Sequence, residues 1–272
     1  MLKDITLGQF FPMESPIHSM DPRVKIILTM AFIIAIFFVE SLWGFLAIAL
    51  YVAFAVKLSK IKFKLVVKGV KPILFLVIFT GLINLFMTNG QTVVLGNVPL
   101  KIGFLKITYE GVHSAIVMSL RLIFLVMGTS VLTLTTSPII LTDGVEKLLS
   151  PFTKIGLPAH ELAMMMTIAL RFIPTLLEET DKIMKAQMAR GADFESGNIV
   201  SRAKALVPIL VPLFISSFRR ADELAVAMEC RCYRGGTGRT RLHELKTEAR
   251  DWLACFTMVC LIASVIIINM YL

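Results

Sequence analysis

The sequence predicts an all-α membrane protein with about five transmembrane helices and a charged cytoplasmic region that contains two long amphipathic helices. Of its 272 residues, 56% are hydrophobic and only 17% are charged, and the mean hydropathy of +0.79 lies above the range of soluble domains. The charge is also unevenly placed. Residues 137–250 hold 16 of the 28 Lys and Arg and 13 of the 19 Asp and Glu, so this region is a folded cytosolic element with both signs of charge.

The chain opens with a polar segment before its first apolar run. Residues 1–23 include Pro12, Pro16 and Pro22 and lack the basic start, apolar stretch and small-residue cleavage site of a secretory signal. We therefore expect the first apolar run to be retained as a membrane span.

Five apolar runs have the composition of spans, because about 20 apolar residues in a helix cross the hydrocarbon core. The first two are separated only by Glu40 and Ser41, which predicts a tight helical hairpin of two short spans. The five runs are Val24–Val39, Leu42–Val56, Pro72–Met87, His113–Thr135 and Trp252–Leu272.

The loop between the second and third runs sets the predicted orientation. It contains Lys57, Lys60, Lys62, Lys64, Lys68 and Lys71, and lysine-rich loops remain in the cytoplasm. The N-terminus is then expected in the cytoplasm and the C-terminus outside. The region from about 137 to 250 faces inward, and residues 88–112 face outward. Asn89-Gly90 and Gly96-Asn97, between short β-branched runs, predict a small hairpin there.

Arg121 is an ionisable residue inside the fourth apolar run, a position that is costly and often functional. Without an acidic partner in a neighbouring run it is poorly suited to an ion or proton relay. We expect it near the bundle interior or a helix end, paired with another group.

Several functional classes are disfavoured by the sequence. The net charge of +9 comes from residues that flank apolar runs and include few aromatics, so membrane topology explains it better than nucleic-acid binding. The four cysteines form no disulfide framework. A metal site would need further ligands beside Cys230 and Cys232, and the nearest candidate, His243, lies alone in a basic segment, so we expect no metal site. The glycine-rich stretch Gly235–Thr240 lacks the lysine spacing of a phosphate-binding loop.

The inner region repeats one plan twice. Leu162–Leu177 is apolar and is followed by a charged half that ends at Arg190, while Ala205–Phe218 is apolar and is followed by a charged half that ends at Arg231. When the two arginines are superimposed, an aspartate and an alanine match in each segment: Asp181 with Asp222, and Ala186 with Ala227.

Each segment predicts a helix of roughly 40 Å. Pro174, Pro208 and Pro212 are expected to kink or locally open these helices. We expect each apolar half to lie along the membrane boundary and each charged half to project into the cytosol. The alternative is two further irregular spans.

Two short motifs, Ala189-Arg190-Gly191 and Cys230-Arg231-Cys232, end these helices 41 residues apart. Gly191 suits the left-handed residue after a helix, and the helix dipole favours a cation in the last turn. These arguments account for both arginines without any partner. On them alone, a purely structural role and partner binding explain the motifs equally well. Recurrence at the same place in two similar segments favours partner binding.

Over nearly the whole chain, four motifs resemble the transmembrane T component of energy-coupling factor (ECF) transporters, the scaffold of a class of ABC importers. They are Ser15-Pro16-Ile17-His18 with Asp21-Pro22-Arg23, then Ala169 to Pro174, Lys185 to Gly191, and Ala227 to Tyr233.

The resemblance implies that the two long helices cross in the cytoplasm and that each arginine motif docks on one of two ABC ATPase subunits. Ala189, Arg190 and Gly191 match the first motif in full, whereas Cys230 and Cys232 flank Arg231 where alanine and glycine are typical. The apolar halves would grip a substrate-binding S component. The side chains offered for this contact are Met164, Met165, Met166, Pro208 and Pro212.

The predicted function is therefore a non-catalytic coupling subunit for vitamin or micronutrient uptake. The predicted regions are 1–136 with four spans, 137–250 as the cytoplasmic coupling region and 251–272 with the last span. The chain itself would need no cofactor, because ATP and Mg²⁺ would bind the partner ATPases. The alternative is a conventional permease that binds its own solute, which should show polar groups paired between spans.

Overall fold

The computed structural model describes residues 10–87, 94–95, 98–99, 101–102, 105–106, 108–194, 198–235 and 245–271. The chain divides into two compact units. We call residues 8–144 with 245–272 the bundle unit, and residues 1–7 with 145–244 the charged unit.

Helices dominate the described residues. In chain order they are α1 (Pro22–Phe37), α2 (Leu42–Ser59), α3 (Phe63–Val70), α4 (Leu74–Met87), α5 (Tyr109–Thr135), α6 (Pro138–Leu149), α7 (Ala159–Ala189), α8 (Ile199–Cys230) and α9 (Ala249–Tyr271). Short 3-10 helices at Lys71–Ile73 and Ser150–Ile155 follow α3 and α6.

Two small antiparallel hairpins lie between α4 and α5. Strand β1 (Val94–Leu95) pairs with β2 (Val98–Pro99), and β3 (Lys101–Ile102) pairs with β4 (Leu105–Lys106). The pairing of β1 with β2 is antiparallel, as in the predicted hairpin. Both dipeptides on which that prediction rested, Asn89-Gly90 and Gly96-Asn97, lie outside the described residues.

Five helical segments in the described chain are long and apolar enough to cross a membrane, as the predicted fold class requires. They are α2, the continuous stretch Phe63–Met87 that contains α3 and α4, α5, α7 and α9. The first predicted span forms α1, whose 16 residues correspond to only about 24 Å of helix. By length and composition α7 qualifies too, so the alternative of further spans stays open for that helix.

The start of α1 is fixed by two buried aspartates. The carboxylate of Asp21 caps the helix by accepting the N–H of Arg23 at 2.8 Å, and the Arg23 Nη2 pairs with Asp21 Oδ2 at 2.6 Å. Burial raises the pKa of Asp21, but the Arg23 hydrogen bonds outweigh it and lower the pKa overall. The Asp251 carboxylate accepts the Asp21 N–H at 3.1 Å and so joins the starts of α1 and α9.

The end of α1 is held by side chains from two other helices. Arg121 of α5 donates from Nη2 to the Val39 carbonyl at 2.9 Å, and its guanidinium lies 5.7 Å from the Phe37 ring centroid. Asn269 of α9 donates to the Phe38 carbonyl at 2.6 Å. The expectation that Arg121 pairs with another group at a helix end is therefore confirmed.

The core of the bundle unit lies among α1, α2, α5 and α9. Ile36 and Ile48 are fully buried, and Val265 is 2% exposed. Close approach of α1 to α5 requires Gly128, because a Cβ there would lie 2.1 Å from Cε1 of Phe32. A side chain at this position would have to displace a core aromatic ring.

Candidate partner-docking site

Helices α7 and α8 of the charged unit pack against each other in antiparallel orientation. The end of α7 lies beside the first half of α8, where Gln187 Nε2 donates to the Pro208 carbonyl at 3.5 Å. Farther along, Glu179 of α7 meets Arg220 of α8. Each helix continues through its prolines, so those residues end neither helix.

One polar cluster joins the middles of the two helices. Arg220 Nη2 pairs with Glu179 Oε2 at 3.0 Å, and the Ser216 hydroxyl donates to Glu179 Oε1. The Arg220 guanidinium also lies 5.8 Å from the Phe172 ring centroid. These contacts fix the register of α7 against α8, because they hold one carboxylate between two α8 side chains and one cation over an α7 ring.

The first arginine motif is a complete C-terminal helix cap. Arg190 is the last residue of the turn, and Gly191 follows in the left-handed conformation at φ +90°. The Gly191 N–H donates to the Met188 carbonyl at 2.9 Å, and the Ala192 N–H donates to the Gln187 carbonyl at 3.0 Å. This bond pair defines a Schellman motif and confirms the predicted left-handed position of Gly191.

The second motif has the same backbone arrangement despite its cysteines. Cys232 takes the left-handed position at φ 54°. Its N–H donates to the Glu229 carbonyl at 2.8 Å, and the Tyr233 N–H donates to the Met228 carbonyl at 3.0 Å. The two motifs therefore present Arg190 and Arg231 on equivalent caps, although only the first has the expected glycine.

Both motif arginines are available to an outside partner. Arg190 and Arg231 are exposed, and neither side chain has a hydrogen bond or ion pair within the described residues. Arg220 is different, since its charge is used inside the helix pair. A guanidinium stays charged and offers five donors in a fixed fork, which suits carboxylates or carbonyls of a partner groove.

The antiparallel packing places the two motifs at opposite ends of the helix pair. Arg190 lies just beyond Gln187, which is level with Pro208, and Arg231 lies at the far end of α8. About 26 residues of helix therefore separate them along the axis, or roughly 39 Å at 1.5 Å per residue.

A side-chain network adjoins the second motif. The Tyr233 hydroxyl lies 3.4 Å from His160 Nε2 at the start of α7, and His160 Nδ1 lies 3.1 Å from Glu146 Oε1 on α6. The sequence offered no signal for this grouping, because Tyr233 lies 73 residues after His160 and such long-range contacts have no local pattern. It anchors the residue that follows Cys232 to two other helices.

The side chains predicted to grip a membrane partner lie mostly at the surface. Met165 and Met166 are 55% and 52% exposed, while Met164 is half-buried. Pro208 and Pro212 are exposed on α8. They adjoin further exposed apolar side chains of the same helix, namely Leu206, Val207, Leu210, Val211, Phe214, Ile215 and Phe218.

The described residues contain no group of three or more His, Cys, Asp or Glu that could hold a metal ion. Cys230 and Cys232 are free, exposed thiols. His243 and the stretch 236–240 lie outside the described residues.

The bundle unit contains an apolar cavity of about 290 Å³ among α1, α2, α5 and α9. Its buried cation is Lys25, whose Nζ donates to the carbonyls of His18 and Thr135 and to the Thr136 hydroxyl, at 3.1–3.2 Å. All three ammonium hydrogens therefore have protein partners, which leaves none for a polar solute.

Comparison with known proteins finds relatives that match this chain over nearly its whole length. The CbiQ family, described as cobalt transport protein, matches residues 13–243. The energy-coupling factor transporter transmembrane protein EcfT of Clostridium kluyveri is 59% identical over 263 residues, 96% of each chain. Its counterpart in Ruminiclostridium cellulolyticum is 54% identical over 269 residues, 99% of this chain and 98% of that protein. The counterpart in Bacillus subtilis is 46% identical over 263 residues, 97% of each chain.

Proposed function

This chain belongs to the transmembrane T components of energy-coupling factor transporters, and from that premise we propose that it couples two ABC ATPase subunits to a substrate-binding S component. It is a membrane subunit of a transporter, as its apolar helices also indicate. In this proposal the chain hydrolyses no ATP, because nucleotide and Mg²⁺ bind the ATPases. The transported solute is a vitamin or another micronutrient chosen by the S component.

The proposal rests above all on the two arginine caps. Arg190 and Arg231 are exposed, have no partner in the described part of the chain, and occupy the same position on two equivalent Schellman motifs. Two separate but alike anchors suit two ATPase subunits of similar structure. In the first motif Ala189 and Gly191, and in the second Cys230 and Cys232, would line the contact around each guanidinium.

The apolar halves of α7 and α8 are proposed to contact the S component. Met165 and Met166 supply flexible, exposed apolar surface, with Met164 beside them, and Pro208 and Pro212 supply the facing surface of α8. Methionine-rich surfaces adapt to different partners, which would allow one T component to serve several S components.

In the coupling step, ATP binding and hydrolysis would change the separation of the two ATPases. Two stiff helices, each anchored at one end, would turn that change into movement of one helix relative to the other. The S component on their apolar halves would move with them. This scheme places the charged unit and the N-terminus in the cytoplasm and the C-terminus outside, as the lysine-rich loop predicts.

The direct test replaces the anchors one at a time and together. We expect Arg190→Ala or Arg231→Ala to weaken assembly with the ATPases by about 2 to 5 kcal/mol, because a buried charged contact would lose one partner. Co-purification of the two ATPases with the tagged chain measures this. Arg219→Ala is the matched control, since Arg219 is also exposed and unpaired among the described residues but lies within α8. Undiminished ATPase recovery with the double variant would refute the proposal.

The permease alternative is tested with the isolated chain. The commitment of all three Lys25 hydrogens to protein acceptors disfavours a polar solute site in the bundle cavity. Direct solute binding by the purified chain would revive this alternative.

A separate experiment addresses the partners. Affinity purification from the native host with mass spectrometry would show whether one S component or several accompany the chain.

A further inference from the structure

The segment from the last turn of α2 through α3 to the residue before Pro72 presents an unusual concentration of unpaired positive charge. Residues 57–71 contain six lysines and no acidic residue. All six lysines are exposed, and none has a hydrogen bond or ion pair from its side chain within the described residues. They are Lys57, Lys60, Lys62, Lys64, Lys68 and Lys71.

Helix α3 arranges part of this charge on one defined face. Val66 is fully buried, and a Cβ at Gly69 would lie 2.8 Å from the Ser130 hydroxyl of α5, so this side of α3 packs on α5. At 100° per residue, Lys64 and Lys68 fall on the opposite side. The α3 lysines are thus held outward by packing of the helix.

An apolar strip runs beside the lysine strip. Phe63 is 54% exposed and Val67 is 42% exposed. Each directly precedes one of the two lysines, so the apolar strip lies about 100° around the helix from the lysine strip. An exposed apolar strip beside a lysine strip is typical of helices in the membrane interface. The position agrees, because α3 follows α2 and begins the stretch Phe63–Met87, and both α2 and that stretch are apolar enough to span a membrane.

We propose that α3 and its flanking lysines bind the headgroups of anionic phospholipids, with Phe63 and Val67 inserted among the adjoining acyl chains. Lysine-rich juxtamembrane segments attract anionic lipids, and here no acidic residue of the segment competes for the charge. A soluble acidic partner would not require the exposed Phe63 and Val67 beside the lysines. This proposal does not depend on ATPase coupling, so either can fail without the other.

The test titrates the full chain, purified in a neutral detergent, with phosphatidylglycerol or with phosphatidylcholine of identical acyl chains. Native mass spectrometry counts the bound lipids. We expect phosphatidylglycerol to be retained preferentially and the preference to fall as salt rises, because exposed charges are screened. Equal retention of the two lipids by the unmodified protein would overturn the proposal without any variant.

Variants then locate the site. Lys64→Gln with Lys68→Gln should weaken phosphatidylglycerol binding about 25-fold, since each lysine near an anionic surface contributes roughly a five-fold gain. Lys147→Gln with Lys154→Gln removes the same charge from exposed lysines elsewhere and should leave binding unchanged. If the α3 variant retains phosphatidylglycerol normally, the proposal is wrong. It is equally wrong if that variant loses only ATPase binding, which would assign the lysines to an acidic protein surface.

Discussion

At the scale of single residues, Cys232 combines a required backbone conformation with an unfavourable side chain. A non-glycine residue in the left-handed region loses roughly 1 to 2 kcal/mol because Cβ crowds the backbone. Cys232 nevertheless keeps φ at 54°, since two cap hydrogen bonds and the anchoring of Tyr233 hold it there. The second motif therefore holds backbone strain that the first motif, with Gly191, avoids.

We expect Cys232→Gly to stabilise the second cap by about 0.5 to 1 kcal/mol, since relief of strain exceeds the added entropy of glycine in the unfolded chain. Slower hydrogen exchange of the backbone amides at 232 and 233 would report the gain. Gly191→Ala is the opposite change at the first motif, where nothing lies within 4 Å of the added Cβ and only the backbone conformation is unfavourable. It should accelerate exchange at 191 and 192. Slower exchange after both changes would contradict this explanation.

His18 makes the N-terminal segment sensitive to pH. Its Nε2 lies 3.0 Å from the Phe11 carbonyl, which only accepts, so Nε2 carries the proton and Nδ1 accepts from the Ser15 hydroxyl at 2.7 Å. Burial lowers the pKa of His18 from 6.5, although the Phe11 hydrogen bond opposes this. The folded state thus favours the neutral ring.

Because the folded pKa is below the unfolded value, the His18 contribution to stability is complete above pH 6.5 and declines as the pH falls toward the folded pKa. We expect the thermal unfolding midpoint of the chain in detergent to fall over this range. His18→Gln cannot titrate and should flatten that part of the pH profile. An unchanged profile in the variant would show that another group causes the decline.

At the scale of elements, Glu179 is the polar residue on which the pairing of α7 and α8 most depends. It accepts from Ser216 and pairs with Arg220, whereas its neighbour Glu178 is exposed and has no partner in the described chain. The two carboxylates have the same charge and lie on the same helix, but only Glu179 contacts α8. Glu178 is therefore a matched control for Glu179.

We expect Glu179→Gln to destabilise the helix pair by about 1 kcal/mol, a modest value because both partners of the ion pair remain partly exposed. Glu178→Gln should change stability very little. Hydrogen exchange over residues 172–179 and 216–220 measures the loosening. Under the proposed coupling role, ATP-driven uptake by the assembled transporter measures its consequence. Equal effects of the two substitutions would show that net charge matters rather than the contact with α8.

The sequence predicted some elements well and others poorly, for physical reasons. Long apolar runs such as α5 and α9 are recognisable because burial in lipid demands continuous apolar composition, and Gly191 is recognisable because few residues adopt its conformation. The partner of Glu179 lies 41 residues away at Arg220, and such long-range pairs have no local pattern. The left-handed Cys232 was equally hidden, since its conformation follows from the cap and not from its own preference.

At the scale of the whole molecule, the two units differ in what they leave uncovered. The bundle unit encloses an apolar core and a cavity whose buried Lys25 is fully bonded. Both units expose apolar side chains, those of the bundle unit on helices apolar enough to span a membrane. The charged unit exposes the apolar surface of α8 and, in addition, two arginine caps that have no partner among the described residues. Surfaces of this kind are typical of a subunit whose contacts are completed by other proteins.

In the proposed coupling scheme, the separation of the two caps is the quantity that links this geometry to transport. The two caps can be labelled with nitroxides at equivalent positions, Ala189→Cys at the end of α7 and native Cys230 at the end of α8. The remaining cysteines, Cys232, Cys255 and Cys260, are replaced by serine. Pulsed electron resonance on the isolated chain should give a distance of roughly 40 Å. A distance under about half that value would mean that α7 and α8 do not pair antiparallel along their length.

If the caps anchor two ABC ATPases as proposed, the same distance in the assembled complex should change when ATP is added, because anchors on two moving subunits would transmit their movement to the helices that carry them. The Glu179→Gln variant should broaden the distance distribution, since a looser helix pair transmits movement less faithfully. A distance unaffected by ATP, in complexes that still hydrolyse it and transport substrate, would leave the caps as passive attachment points and would transfer the coupling to another part of the assembly.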